Sequence, residues 1–335
     1  MKSRIACLMA VCAAALAAQA PPTAILEIDT ENLVAYYGNV FDMSKFGTDP
    51  NMTSVPGGPR TFTMMIAIGD IVAVNGRPAR GIGMFRGQMT NLSPSPAAGQ
   101  AIADIVRSTI TEYFLEILDP DGIPIGSIFA MGVGSGSAPP GAPLAVQISN
   151  NTVVGGTGAF LGARGQLGGR TFPNTAFLRT ASMTEDPANR RNLGGGKLRF
   201  VVHLIPHSRP EIASLPTGPA VYHVGDLSPV TADRPARAGE HLVLGVTDLG
   251  PVRPNLDPGQ PCPPDSEGRF HEANSPVEVS VNGKTARVLN KIGWPGMSNL
   301  YRVDFLVPDG IAPGMATLGL SAAWIGGPEV RIPVR

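Results

Sequence analysis

A chain of 335 residues with no formal net charge is long enough for two ordinary domains, and it lacks the basic excess that nucleic-acid binding demands. Its 41 glycines and 33 prolines accompany 43% hydrophobic and only 16% charged residues. That balance argues for buried cores joined by many turns, hence many short strands, and against disorder.

The N-terminus reads as an export signal. Lys2 and Arg4 precede an apolar stretch from Ile5 to Ala18, and small residues allow cleavage after Ala17 or Ala20. The stretch is too short for a membrane span, and Val11 is a poor residue before Cys12 for a lipid anchor. The expectation is a signal over 1–20 and a mature protein that is secreted, extracellular or periplasmic. Cys7 and Cys12 fall within that signal, leaving Cys262 in Pro261-Cys262-Pro263-Pro264. No internal disulfide is then expected, and without a visible base partner the thiol reads as an incidental loop residue.

From Thr23 to Pro206, short apolar or alternating runs are broken by Gly, Asn and Pro. They predict strands at Ala24–Ile28, Leu33–Phe41, Arg60–Ile68, Ile71–Val74, Gly81–Thr90 and Thr109–Leu118. Further strands are predicted at Ile123–Gly134, Leu144–Ser149, Thr152–Val154, Ala159–Leu167 and Lys197–Ile205. In Thr109–Leu118, Tyr113, Leu115 and Ile117 oppose Glu112, Phe114 and Glu116; in Lys197–Ile205, Leu198, Phe200, Val202 and Leu204 share a face. Asn75-Gly76 and Asp119-Pro120-Asp121-Gly122 read as hairpin turns. Pro96–Arg107 is the one candidate helix. So many antiparallel strands hide their edges best by closing into an up-and-down barrel, with a sandwich as the second choice.

Linker composition appears between Pro206 and Pro219. The expected division is a barrel domain over 21–207, a linker over 208–218 and a β-sandwich of immunoglobulin-like size over 219–335. Strands in the last unit are predicted at His241–Val246, Val277–Val281, Thr285–Val288, Tyr301–Val307, Ala316–Ala323 and Glu329–Val334. Turn signals such as Asn282-Gly283 and Pro308-Asp309-Gly310 separate them.

One stretch carries a resemblance. Val153-Val154-Gly155-Gly156-Thr157-Gly158, then Phe160, then Ala163-Arg164-Gly165, resembles the motif of dirigent proteins, with the glycines as a tight turn and Ala-Arg-Gly opening the next strand. Gly81–Gly87 and Gly126–Gly134 are similar to other strands of that family. The resemblance implies an all-β fold: an antiparallel eight-stranded β-barrel of the dirigent and allene oxide cyclase kind, with a partly apolar cavity and homo-oligomers through the barrel. Family members guide phenoxy-radical coupling or close an oxylipin ring by shaping a cavity around a reactive molecule. Here Asn150 and Asn151 stand where plant members carry an acid, and Leu161 follows the motif Phe where they carry Arg. The plant activity therefore does not transfer. In the last third, Leu249–Pro254, Pro276–Gly283 and Tyr301–Pro308 resemble C-terminal modules of secreted acidobacterial proteins, similar to the IPT/TIG immunoglobulin-like fold.

Sequence motifs for chemistry are sparse. His203 and His207 lie on and after a strand and point to different places, so a metal is not expected. There is no Gly-x-Ser-x-Gly elbow, His-Glu-x-x-His pair or phosphate loop. The candidate ligand-binding residues are Asp70, Arg86, Glu112, Tyr113 and Arg164, polar or aromatic groups on predicted barrel strands or their ends; no catalytic residue is assigned. The expected function is binding or steric guiding of a small apolar or phenolic molecule, with no cofactor, nucleic acid or membrane span. The alternatives are a cofactor-independent cyclase or isomerase and a non-catalytic extracellular scaffold. Ionisable groups in a roomy cavity would favour the enzyme; a filled barrel with an exposed apolar patch would favour the scaffold.

Overall fold

The structure is a computed structural model describing residues 24–38, 61–91, 107–134, 151–182, 184–263 and 270–335. The signal expected over 1–20 and the strand expected over 144–149 lie outside these residues. So does the helix expected over 96–107, except Arg107, which begins a strand.

The first sheet contains β1 (Ala24–Gly38), β2 (Thr61–Val74), β3 (Arg77–Pro78), β4 (Arg80–Asn91) and β5 (Arg107–Leu118). It continues through β6 (Pro124–Gly134), β7 (Asn151–Gly158), β8 (Arg164–Thr171), β9 (Arg179–Ser182) and β10 (Gly196–Ile205). The order β2-β4-β5-β6-β7-β8-β10-β1 returns to β2 through an antiparallel β1–β2 pairing, closing an eight-stranded barrel. Closure leaves no edge within the ring. Period-two alternation decides which side chains enter it: Leu26 and Ile28, Leu115 and Ile117, and Leu198, Phe200, Val202 and Leu204 are all buried. Each such side chain contributes about 1.5–3 kcal/mol of transfer free energy.

Turn chemistry sets one end of the barrel. Asn75 and Gly76 both take positive φ, 50° and 73°, as a two-residue hairpin turn requires. Asn75 also hydrogen-bonds β1: its Oδ1 accepts from Glu27 N at 2.7 Å and its Nδ2 donates to Ile25 O at 3.2 Å. Asp119 Oδ1 accepts from the Asp121 and Ile123 amides at 2.9 and 2.8 Å. Between β7 and β8, the strand runs on through Gly155-Gly156-Thr157-Gly158, and the turn falls at Ala159–Ala163 instead. This corrects both the glycine turn and the strand expected to begin at Ala159. A Cβ on Gly156 would lie 2.4 Å from Phe160 O, so that glycine serves close approach, while Gly158 supplies a φ of 59°.

Two expected strand pairs also merge. Ala24–Ile28 and Leu33–Phe41 share β1 as far as Gly38, across a register shift between Thr30 and Leu33 that holds Asn32 at φ 54°. Arg60–Ile68 and Ile71–Val74 likewise form β2 from Thr61. Beyond β8 the chain makes an excursion in which β9 lies parallel to β1 and a short helix, α1 (Asn189–Asn192), follows. That excursion covers the outer side of β1, which is why Val34 and Tyr36 are buried as well as Leu33 and Ala35, which belong to the barrel's own core.

The second sheet is open and curled. His241–Thr247 pairs with Leu300–Leu306, which pairs with Lys284–Gly293. The first residues of Lys284–Gly293 pair with Val277–Val281, and that strand pairs with Gly314–Ala322, itself beside Val330–Val334. A register shift between Val288 and Asn290 lets one strand serve both flanks. Leu244, Val246, Val281, Val303, Phe305 and Leu318 fill its core. Glu211–Ile212, within the expected linker, already pairs with this sheet at Val246 and Thr247.

The two sheets meet at the turn end of the barrel. Ala323 and Ile325 belong to the barrel's buried cluster, with Trp324 packed against it. Asn274 Nδ2 donates to Pro124 O at 2.9 Å, and Arg77 pairs with Glu278.

Candidate functional site

The barrel interior is the first place to look for a ligand. Tyr113 points into it, only 5% exposed. Its ring stacks on Phe85 at 5.3 Å between centroids and meets Phe200 edge-on at 6.0 Å, both favourable aromatic geometries. Leu167, Leu198 and Asn151 complete the surround. The gaps among these side chains leave no space wide enough for a water molecule. Thr30, also inside, donates through Oγ1 to Leu198 O at 2.8 Å. Among the described residues no carboxylate, amine or imidazole joins them.

The other four candidates point elsewhere, and the structure does not bring the five together. Arg86 and Glu112 oppose each other on β4 and β5 and form an exposed ion pair at 2.5 Å. Arg164, at the start of β8, is exposed and donates through Nη1 to Val154 O at 2.6 Å. Asp70 lies on the outer side of β2. Its Oδ1 accepts from Arg190 Nη2 at 2.5 Å and Arg191 Nη2 at 2.8 Å, and its Oδ2 accepts from Arg191 Nε and Asn32 Nδ2. Burial alone would raise its pKa, but the hydrogen bonds from Arg191, Arg190 and Asn32 prevail and hold it at about 2. Asp70 thus anchors the α1 segment to the barrel wall. Tyr36 lies under the same excursion, its phenol raised by burial and then by Glu185, which Arg179 grips at 2.7 and 3.0 Å.

A different feature dominates the outside. Met84, Phe114 and Phe129 sit side by side across β4, β5 and β6, and the two phenylalanine rings are 5.0 Å apart. Around them lie Ile110, Met131 and Val154, 52%, 47% and 42% exposed. The result is an apolar stripe of Met84, Phe114, Phe129, Met131 and Val154 over four adjacent strands; the Arg86–Glu112 pair lies in register with Met131 and separates the stripe from Ile110. Its signal in the sequence is Phe114 on the solvent side of an alternating strand, between Glu112 and Glu116. The residues that close the interior, Phe85 and Phe200, were visible only as members of alternating runs, not as neighbours of Tyr113.

Among the described residues no group of three or more His, Cys, Asp or Glu side chains is placed to hold a metal, and no helix is long and apolar enough to cross a membrane. Comparison with known proteins finds no matching family model, no matching curated protein and no matching solved structure.

Proposed function

We propose that this is a non-catalytic scaffold protein that self-associates through the outer face of its barrel. The observation that carries the reading is the stripe of Met84, Phe114, Phe129, Met131 and Val154. Contiguous exposed apolar surface of this kind marks an interaction site. The occupant we assign is a second copy of the chain. The barrel's ring offers no free edge for strand addition, so association through the ring uses a face. The Arg86–Glu112 pair at the border carries one charge of each sign, so two copies related by a two-fold axis meet it with complementary charge. The resemblance to dirigent-type barrels points the same way.

The same proposal takes the first unit as a dirigent-like barrel, the last as an immunoglobulin-like sandwich and the setting as extracellular or periplasmic. It places the division at the start of 208–218, ahead of Glu211–Ile212, which pairs with the second sheet. Guiding of a small apolar or phenolic molecule inside the barrel draws support from Tyr113 alone and needs the Phe85–Tyr113–Phe200 packing to open.

The test is sedimentation velocity of the mature protein beside a Phe129→Arg, Met131→Glu variant. The wild type is expected to sediment as an oligomer and the variant as a monomer with an unchanged circular dichroism spectrum. Anchors of this type each contribute about 2 kcal/mol or more to an interface. A wild type that stays monomeric at all accessible concentrations refutes self-association, and an oligomer untouched by the double variant places the interface elsewhere.

A further inference from the structure

A cleft of about 660 Å³ opens where the barrel's β7–β8 turn faces the loops of the second sheet, within the range of small-molecule sites. Thr157–Leu161 forms one wall, and residues 248–262 and 299–301 form most of the other. Its apolar lining comes from Ala159, Leu161, Val252, Leu256 and Leu300. Leu161 is the most telling of these. It projects from the tip of its turn 60% exposed, buried in neither core.

The charge of the lining is one-sided. Asp248 and Asp257 both contribute, and among the described residues no Lys, Arg or His lines the cleft. Neither carboxylate has an ion-pair partner among the described residues. Arg253, close in sequence, faces Glu272 instead, at 3.6 Å. Asp248 is also held in place with unusual firmness. It and Asn299 both adopt left-handed backbone, φ 59° and 51°, and they bond reciprocally. Asn299 Nδ2 donates to Asp248 Oδ1 at 3.0 Å, and Asp248 N donates to Asn299 Oδ1 at 3.2 Å. Residues kept in sparsely populated backbone regions cluster where a ligand is clamped. Beside them Tyr301 Oη donates to Gly250 O at 2.5 Å, so its hydroxyl proton is already committed.

We propose that this cleft binds a small organic cation, an apolar body carrying a protonated amine, seated on Leu161, Val252 and Leu256 with its nitrogen at Asp248. Two carboxylates without a cation repel a phosphate or carboxylate ligand and attract an ammonium group. The apolar lining rewards burial of a hydrocarbon or aromatic body. Because its walls come from both sheets, an occupant also ties the barrel to the second module. This site is independent of the self-association face, which lies on the barrel's side.

The experiment is ligand-observed saturation-transfer NMR on the mature full chain, with two probes of similar shape and opposite charge, tryptamine and indole-3-acetate. Tryptamine is expected to give saturable binding and indole-3-acetate none. Asp248→Asn keeps a residue that tolerates left-handed backbone, so the fold is preserved; it is expected to weaken tryptamine about tenfold. Leu161→Arg, at an exposed tip, is expected to abolish tryptamine binding by placing a cation in the site. The proposal is overturned if tryptamine shows no saturable binding, if indole-3-acetate binds equally well, or if Asp248→Asn leaves the tryptamine affinity unchanged.

Discussion

The two sides of the barrel's outer surface differ in what dominates them. On β10 and β1 the middle of the outward face is charged, with Ile25 and Ile205 exposed at its end: Arg199 bonds Asp29 through Nε at 2.6 Å and Glu27 through Nη1 at 2.8 Å, and Lys197 pairs with Glu31. On β4 to β7 the outward residues Met84, Phe114, Phe129, Met131 and Val154 are apolar, with the Arg86–Glu112 pair and Glu116 set among them. Both sides enclose the same packed interior and share one continuous hydrogen-bonded ladder. The fold itself does not require the difference, so it reflects what each side meets. The charged side meets the chain's own excursion over β1; the apolar side is the one we propose to meet a second copy.

The interior is the reference against which both sides are judged, and disturbing it should produce the largest effect. Phe200→Ala removes a ring that is 1% exposed and packs edge-on against Tyr113. A filled core loses about 3–5 kcal/mol on such a truncation, read from urea denaturation with an unchanged slope. A loss under about 1 kcal/mol would mean that the interior repacks freely, and the lumen would return as a ligand cavity.

The excursion over β1 comes next. Asp70→Asn leaves Arg190, whose side chain is 8% exposed, without its carboxylate. Breaking a buried pair in this way costs about 3 kcal/mol. Hydrogen exchange should quicken in β9 and α1 while β4 to β6 keep their protection. Equal quickening throughout the barrel would show that the segment is not a separable cover.

Acid tests the same anchor without mutation. The folded-state pKa of Asp70, about 2, lies below the ordinary carboxylate value of about 3.9. The ionised form is therefore the one that folding favours. Its contribution, about 2 kcal/mol, is complete above pH ~4 and disappears as the pH falls toward ~2. Stability measured across that window should fall less steeply in Asp70→Asn than in the wild type. Identical slopes would remove Asp70 from the account.

These features differ in how far they were legible before the structure. Tyr113, Leu115 and Ile117 follow from period two alone, because a strand with one wet face must alternate. Asn75-Gly76 follows from the backbone angles those residues tolerate. The double burial of Val34 and Tyr36 does not follow, because it comes from a parallel contact with Arg179–Ser182, some 145 positions away in sequence. The glycine motif was legible as a landmark but not as geometry: its glycines admit Phe160 and the Ser127 backbone at close range, a use the pattern does not separate from turning. Of the candidate residues, Asp70 stood out as a polar group at a strand's bend, but its arginine partners lie 120 and 121 residues away. The junction cleft was illegible for the same reason, since its walls are loops of two modules.

The smallest effect belongs to the charged side, and it completes the contrast with the apolar one. Arg199 spans two carboxylates and lies 5.5 Å from the Phe172 ring centre, within cation–π range. Yet its side chain is 30% exposed, and water and salt screen pairs of this kind. Arg199→Lys keeps the charge but loses the planar fork that grips Asp29 through both oxygens. The expected cost is below about 1 kcal/mol, shrinking further in high salt. Sedimentation should not change, because the proposed self-association face lies on the opposite strands. An oligomer altered by Arg199→Lys would place the interface on the charged side and leave the apolar stripe without its assigned role.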